Sequence, residues 1–272
     1  MKNVRSTAIL GPFIATILTG VSVSGASPVS LSPAADNTLY TTPNGKLSNG
    51  AGQHLFVGNN SGVNTRRAVI RFDLEGIVPA GSIVESVSLM MYVSQANAGV
   101  TPVALHRVAA SWGEGASDGF GPEGAGAASE AGDATWIHRF YPDQLWNSPG
   151  GDFDAQPSAI TSVDAPGFYV WVADSSDGPA GKALTDVQSW VDDPTSNHGW
   201  ILRGTEEGAS TAKRLNSKEH PDDQLHPVLT IEFTDARQVP TISTWGLAIL
   251  ALLLMTAAKL YAHAGKRRAS SV

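Results

Sequence analysis

Between residues 67 and 74 the chain alternates: Ala68, Ile70, Phe72 and Leu74 interleave with Arg67, Val69, Arg71 and Asp73. A period of two is that of a strand with one face buried. Residues 83–93 repeat the pattern, with Val87, Leu89, Met91 and Val93 on one face. The same criterion predicts short strands at 38–42, 54–57, 103–108, 136–140, 168–173, 199–203 and 228–233, separated by Gly, Pro and Asn turns. Many short strands of this kind predict an all-β fold, an antiparallel β-sandwich or jelly roll. The period changes once. Leu184, Val187, Trp190 and Val191 share one face of a predicted helix, Thr185 and Gln188 have the spacing of a capping box, and Pro194 is expected to end it.

The two chain ends abandon both periods. Residues 1–26 carry basic Lys2 and Arg5, an apolar stretch from Ala8 to Val23, and small Ser24, Gly25 and Ala26. That layout predicts a secretory signal peptide cleaved after Ala26. Residues 239–258 carry no charge and are long enough for a transmembrane helix, with Trp245 and Tyr261 at the interfaces and Lys266, Arg267 and Arg268 on the cytoplasmic side. Residues 27–238 remain as a single domain facing outward.

Composition narrows what that domain does. Residues 27–238 hold twelve Lys and Arg against all twenty-five Asp and Glu, a formal charge of −13. A nucleic-acid partner is not expected, because neutralising phosphates requires a basic face. The absence of cysteine removes disulfides, thiolate metal sites and a Cys nucleophile.

The chemistry-bearing stretch is residues 112–154, glycine-rich and acidic. Asp152 and Asp154, behind Gly150 and Gly151, form a candidate calcium site of hard oxygen ligands, although the spacing is not that of an EF-hand. An ordinary solvated loop is the alternative. Trp171, Trp190 and Trp200 are expected in the core, whereas Trp112 and Trp146, lying between strands, are the candidate ligand contacts. Asp152 with Glu114 is the acid pair a glycosidase would need. No Gly-x-Ser-x-Gly motif accompanies a histidine and no histidine pair has zinc-ligand spacing, so no catalytic residue is assigned.

Two stretches resemble known families. Val239, Pro240, Thr241, Ile242, Ser243, Trp245 and Gly246, followed by an apolar helix and a basic end, resemble the IPTL-CTERM protein-sorting signal. The resemblance implies an exosortase-type processing protease in a Gram-negative envelope, cleavage near the motif and transfer to the cell surface or matrix. A fixed membrane anchor is the alternative. Residues 66–74, 78–83, 196–202, Ser217-Lys218-Glu219 and 226–233 together resemble the DNRLRE domain of secreted bacterial proteins, which is similar to β-sandwich carbohydrate-binding modules. Lys218 stands where that pattern has Arg, so a charge is kept and a bidentate fork is lost. These resemblances imply a non-enzymatic surface or matrix protein that binds or organises extracellular polysaccharide. The alternative is a secreted carbohydrate-active enzyme with an acidic cleft beneath residues 112–154.

Overall fold

The computed structural model describes residues 27–174, 181–235 and 248–259. The expected signal peptide and the motif residues Val239 to Gly246 lie outside them. Gly25–Gln238 form one compact unit. Its strands are β1 Ser27–Leu31, β2 Ala35–Tyr40, β3 Leu47–Ser48, β4 His54–Asn59, β5 Thr65–Arg71, β6 Ile83–Ala96, β7 Thr101–Arg107, β8 Ala127–Ala128, β9 His138–Phe140, β10 Gln144–Leu145, β11 Ala159–Val163, β12 Gly167–Asp174, β13 Trp200–Arg203, β14 Lys213–Asn216 and β15 Val228–Thr234, with helix α1 at Lys182–Asp192.

Eleven strands make one curled sheet, antiparallel throughout. One layer runs β1-β15-β6, with β12 on the other edge of β6 and β14 continuing from the end of β6 to β4. The second layer runs β2-β5-β13-β7-β11. Strand β4 pairs with β14 in the first layer and with β5 in the second, which joins them into a sandwich-like body. The sandwich expected from the strand pattern is therefore present in its coarse form.

Alternation decides what lies between the layers. Ala68, Ile70 and Phe72 are fully buried there with Val87, Leu89, Met91 and Val93, and α1 closes one end through Ala183, Val187, Trp190 and Val191. Trp190 and Trp200 meet with ring centroids 4.6 Å apart. Burying 150–250 Å² per indole at about 25 cal/mol per Å² makes each worth about 4–6 kcal/mol as an upper bound.

The helix starts earlier than the capping-box pattern predicts. Its N-cap is Gly181, which offers no side chain, and Thr185 lies inside the first turns. Gln188 instead spans out of the helix: it accepts from the Val84 amide at 2.9 Å and donates to the Ser82 carbonyl at 3.1 Å. The helix ends at Asp192, and Pro194 opens a short 3-10 turn capped by the Asp193 side chain. Strand β14 escapes the sequence reading because its inward residues include Lys213 as well as Leu215.

A second core lies on the outer face of the β5 layer. Leu39, Val69 and Ile201 point away from the first core, and Val108, Trp112, Ala134 and Trp146 cover them. Residues 108–154 are thus a folded layer rather than a solvated loop. Gly199 makes one close approach possible: its φ is +74°, and a Cβ there would lie 2.0 Å from the Ile70 carbonyl oxygen.

Residues 248–259 form a second helix, α2, which belongs to a different compact unit. Ile249, Leu250, Leu252, Leu253, Leu254 and Met255 are all more than half exposed. No helix among the described residues is long and apolar enough to cross a membrane.

Candidate ligand-binding groove

The two tryptophans proposed from sequence as ligand contacts are buried. Trp112 is 6 % exposed and Trp146 5 %. Their indole N–H groups donate to the carbonyls of His198 and Thr135, each at 2.9 Å. Burial of the rings with the polar edge satisfied internally is how a tryptophan anchors a core, and neither offers an open ring face. The segment's exposed aromatic is Phe120, at its glycine-flanked tip.

Asp152 and Asp154 are each held by a different partner. The Asp152 carboxylate accepts from the amides of Asn147 and Ser148 at 2.8 and 2.9 Å, closing a loop. Asp154 accepts from Lys182 Nζ at 2.9 Å, and Lys182 also reaches Asp186 at 2.9 Å.

The carboxylates that do cluster are Asp36, Glu114 and Glu219, with one oxygen of each within 4.8 Å of the others. Lys218 sits among them, paired with Glu114 at 3.1 Å and with Glu219. Its amide donates to Asp36 Oδ2 at 2.9 Å, and the Asp36 amide donates to Glu114 Oε1 at 2.9 Å. Burial, then the charge of Glu219, push the Asp36 carboxyl well above the ordinary carboxylate range. Burial works against the Lys218 charge, but its hydrogen bonds to Glu219 and Glu114 outweigh that and hold its pKa above the usual lysine value. Lys218 thus ties the cluster together through its ammonium and its amide, and the cluster reads as an internal lock between β2, the residue-114 turn and the end of β14. Sequence offered the Ser217-Lys218-Glu219 patch but not its partners, which are more than 100 residues away.

Chemistry that is both polar and open lies at the other end of β2 and β5. Two hollows of about 280 and 500 Å³ share Asn60, Arg66 and Gly124 and form one groove. Phe56, Gln95, Asn97, Pro122 and Arg214 line one half, and Tyr40, Thr42, Pro43, Asn64 and Thr65 the other. The β4–β5 turn is held by Asn60 Oδ1, which accepts from the Gly62 and Asn64 amides at 2.9 Å each. Across it, residues 120–126 are fixed from beneath. Glu123 accepts from the Gln53 and His54 amides at 3.1 and 2.9 Å and from Asn49 Nδ2 at 3.1 Å. Burial alone would raise the Glu123 carboxyl; the His54 and Asn49 hydrogen bonds outweigh it and hold it below its ordinary value.

The cations of the groove divide by role. Arg66 donates through Nε to the Gly124 carbonyl at 3.1 Å, Tyr40 OH donates to the Glu123 carbonyl at 3.0 Å, and both stiffen the floor. Lys213 is buried, tying the β6–β7 turn through the carbonyls of Asn97 and Gly99. Arg214 is half-buried, fixed through Nε to Ser94 Oγ at 2.9 Å, and makes no ion pair among the described residues. It is the accessible cation. No protein-family profile matches this chain, and no curated protein matches it.

Proposed function

We propose that the chain is an exported, non-enzymatic cell-surface or matrix protein whose sandwich body binds extracellular polysaccharide in the groove between Tyr40, Phe56 and Arg214. The observation that carries this reading is the groove itself: an open hollow rimmed by amide, hydroxyl and guanidinium side chains, the hydrogen-bonding chemistry that suits the hydroxyls of a sugar chain. Binding is favoured over turnover because Glu114 and Asp152, the acids proposed for a glycosidase, are engaged by Lys218 and by loop amides respectively.

Export is supported by the layout of residues 1–26 and by the IPTL-CTERM-like run from Val239 to Gly246. The apolar sequence of α2 adds to this, since a helix apolar on every side needs a nonaqueous neighbour. An exosortase-type protease and, before processing, the membrane are the partners this reading implies. Calcium is not needed for it.

Two experiments test it. Mass spectrometry of the protein from its native cells should find a new N-terminus near Ser27 and a C-terminus near Pro240; an intact Met1 in cytosol rejects export. A glycan array probed with the full chain in nonionic detergent should show retention without release of reducing ends. Sugar release abolished by Glu114→Gln with Asp152→Asn makes the protein an enzyme instead.

A further inference from the structure

A second cationic site lies at the far end of β5, five residues and so about 17 Å along the strand from Arg66. There Arg71, Ser111, Trp112, Asn197 and His198 line a polar cavity of about 260 Å³. Arg107 and Arg139 flank it. Arg107 donates to Ser196 Oγ at 3.2 Å, and Arg139 donates to Ser111 O and Oγ at 3.2 and 3.0 Å. The three arginines come from three different strands, β5, β7 and β9. None makes an ion pair with a carboxylate among the described residues, whereas Arg67, Arg203, Lys182 and Lys218 all do.

In a body of charge −13, three arginines converging without an acid are an uncompensated concentration of positive charge. Their effect is visible on His198. Burial, then the charges of Arg107, Arg71 and Arg139, hold its pKa below the ordinary histidine value, and no carboxylate offsets them. The ring therefore serves as a reporter of any charge that enters. The cavity is smaller than the 300–1,000 Å³ of sites that enclose a whole small molecule. It fits one charged group with its hydration.

We propose that Arg71, Arg107, Arg139 and the Asn197-His198 turn form a binding site for a tetrahedral oxyanion, sulfate or phosphate, either free or carried as an ester on a larger ligand. Guanidinium groups suit this ligand because their planar donors form charge-assisted hydrogen bonds to several oxygens at once. A dianion also balances three cations better than a lone carboxylate. The site is separate from the groove, so its failure leaves the polysaccharide reading untouched.

The test follows the His198 ring by NMR in the full chain in nonionic detergent, assigned with His198→Gln. Sodium sulfate and sodium phosphate are each titrated against sodium chloride at equal ionic strength. Sulfate or phosphate should raise the His198 pKa saturably, and Arg71→Gln should weaken the midpoint about 10-fold, the loss of one charge-assisted contact. Arg139→Gln, whose side chain hydrogen-bonds Ser111 and lies over the Phe140 ring, serves as the second variant and should weaken it too, while Arg214→Gln in the groove should not. Dextran sulfate against unmodified dextran then distinguishes the sources: competition by the sulfated polymer assigns an ester, and response to inorganic anions alone assigns a free ion. If sulfate and phosphate act no differently from chloride, or if both arginine variants bind as the parent does, the proposal is overturned.

Discussion

Residues 112–154 and the groove between Tyr40 and Arg214, which meet at residues 122–125, both carry aromatic and charged side chains outside the main core, and they use them in opposite ways. In the first region the conspicuous residues are structural: Trp112 and Trp146 are capped by backbone carbonyls, and Asp152 closes its own loop. In the second, inconspicuous residues such as Asn60, Gln95 and Arg214 stand open. A tryptophan or acid in an irregular segment is not thereby accessible. What decides is whether the segment has a surface to cover, and Leu39, Val69 and Ile201 give residues 108–154 such a surface.

The largest expected effect separates anchor from contact. Trp146→Ala should cost about 3–5 kcal/mol in denaturant unfolding, because it empties a filled site and orphans the Thr135 carbonyl. Loss of glycan retention without loss of stability would return Trp146 to the binding surface.

Glu206 gives the next effect. It accepts from Arg67 at 2.7 and 2.9 Å and from Arg203 at 3.2 and 2.8 Å, tying β5 to the chain beyond β13. Burial would raise its pKa, but the hydrogen bonds from Arg67 and Arg203 outweigh this and bring it down to about 2. Its folded value lies below its unfolded one, so its stabilisation is fully present above the ordinary Glu range and is lost as pH falls toward 2. Glu206→Gln should therefore cost roughly 3 kcal/mol at pH 7 and flatten the acid limb of the stability profile; an unchanged limb contradicts the pairing.

Asp36 has the opposite sign. Its folded pKa lies above its unfolded one, so its contribution declines as pH rises from the ordinary Asp range through its raised value. Asp36→Asn should remove that decline while keeping the acceptor for the Lys218 amide, a change of about 1 kcal/mol or less at low pH. A steeper decline in the variant would place the charge on a partner.

Comparable in size is Asp152→Ala, which loses two loop-closing hydrogen bonds and should cost about 1 kcal/mol. Excess chelator should leave the melting transition of the parent unmoved, whereas a drop would show that a metal binds the folded state.

The same contrast explains what the sequence made legible. Period-two alternation located β5 and β6 and the buried faces of both, because inter-sheet packing imposes that period directly. It passed over β14, where Lys213 occupies an inward position by donating to two turn carbonyls. The second core was illegible for the same reason: Val69 and Ile201 sit on the nominally polar face of their strands, and what covers them has no period. The groove was hidden because its lining comes from five separate stretches, none with a motif. Lys218 and Glu219 were seen as a patch, while Asp36 and Glu114, which give them their role, are joined to them only by the fold.

Binding by the groove is most directly tested at Arg214, whose side chain holds only Ser94 and faces the open hollow. Affinity electrophoresis of the full chain through gels containing the glycans that it retains on an array should show Arg214→Gln migrating with at least about 10-fold weaker retardation, with unfolding within about 0.5 kcal/mol of the parent. Equal retardation of the two proteins would contradict the groove as the polysaccharide site.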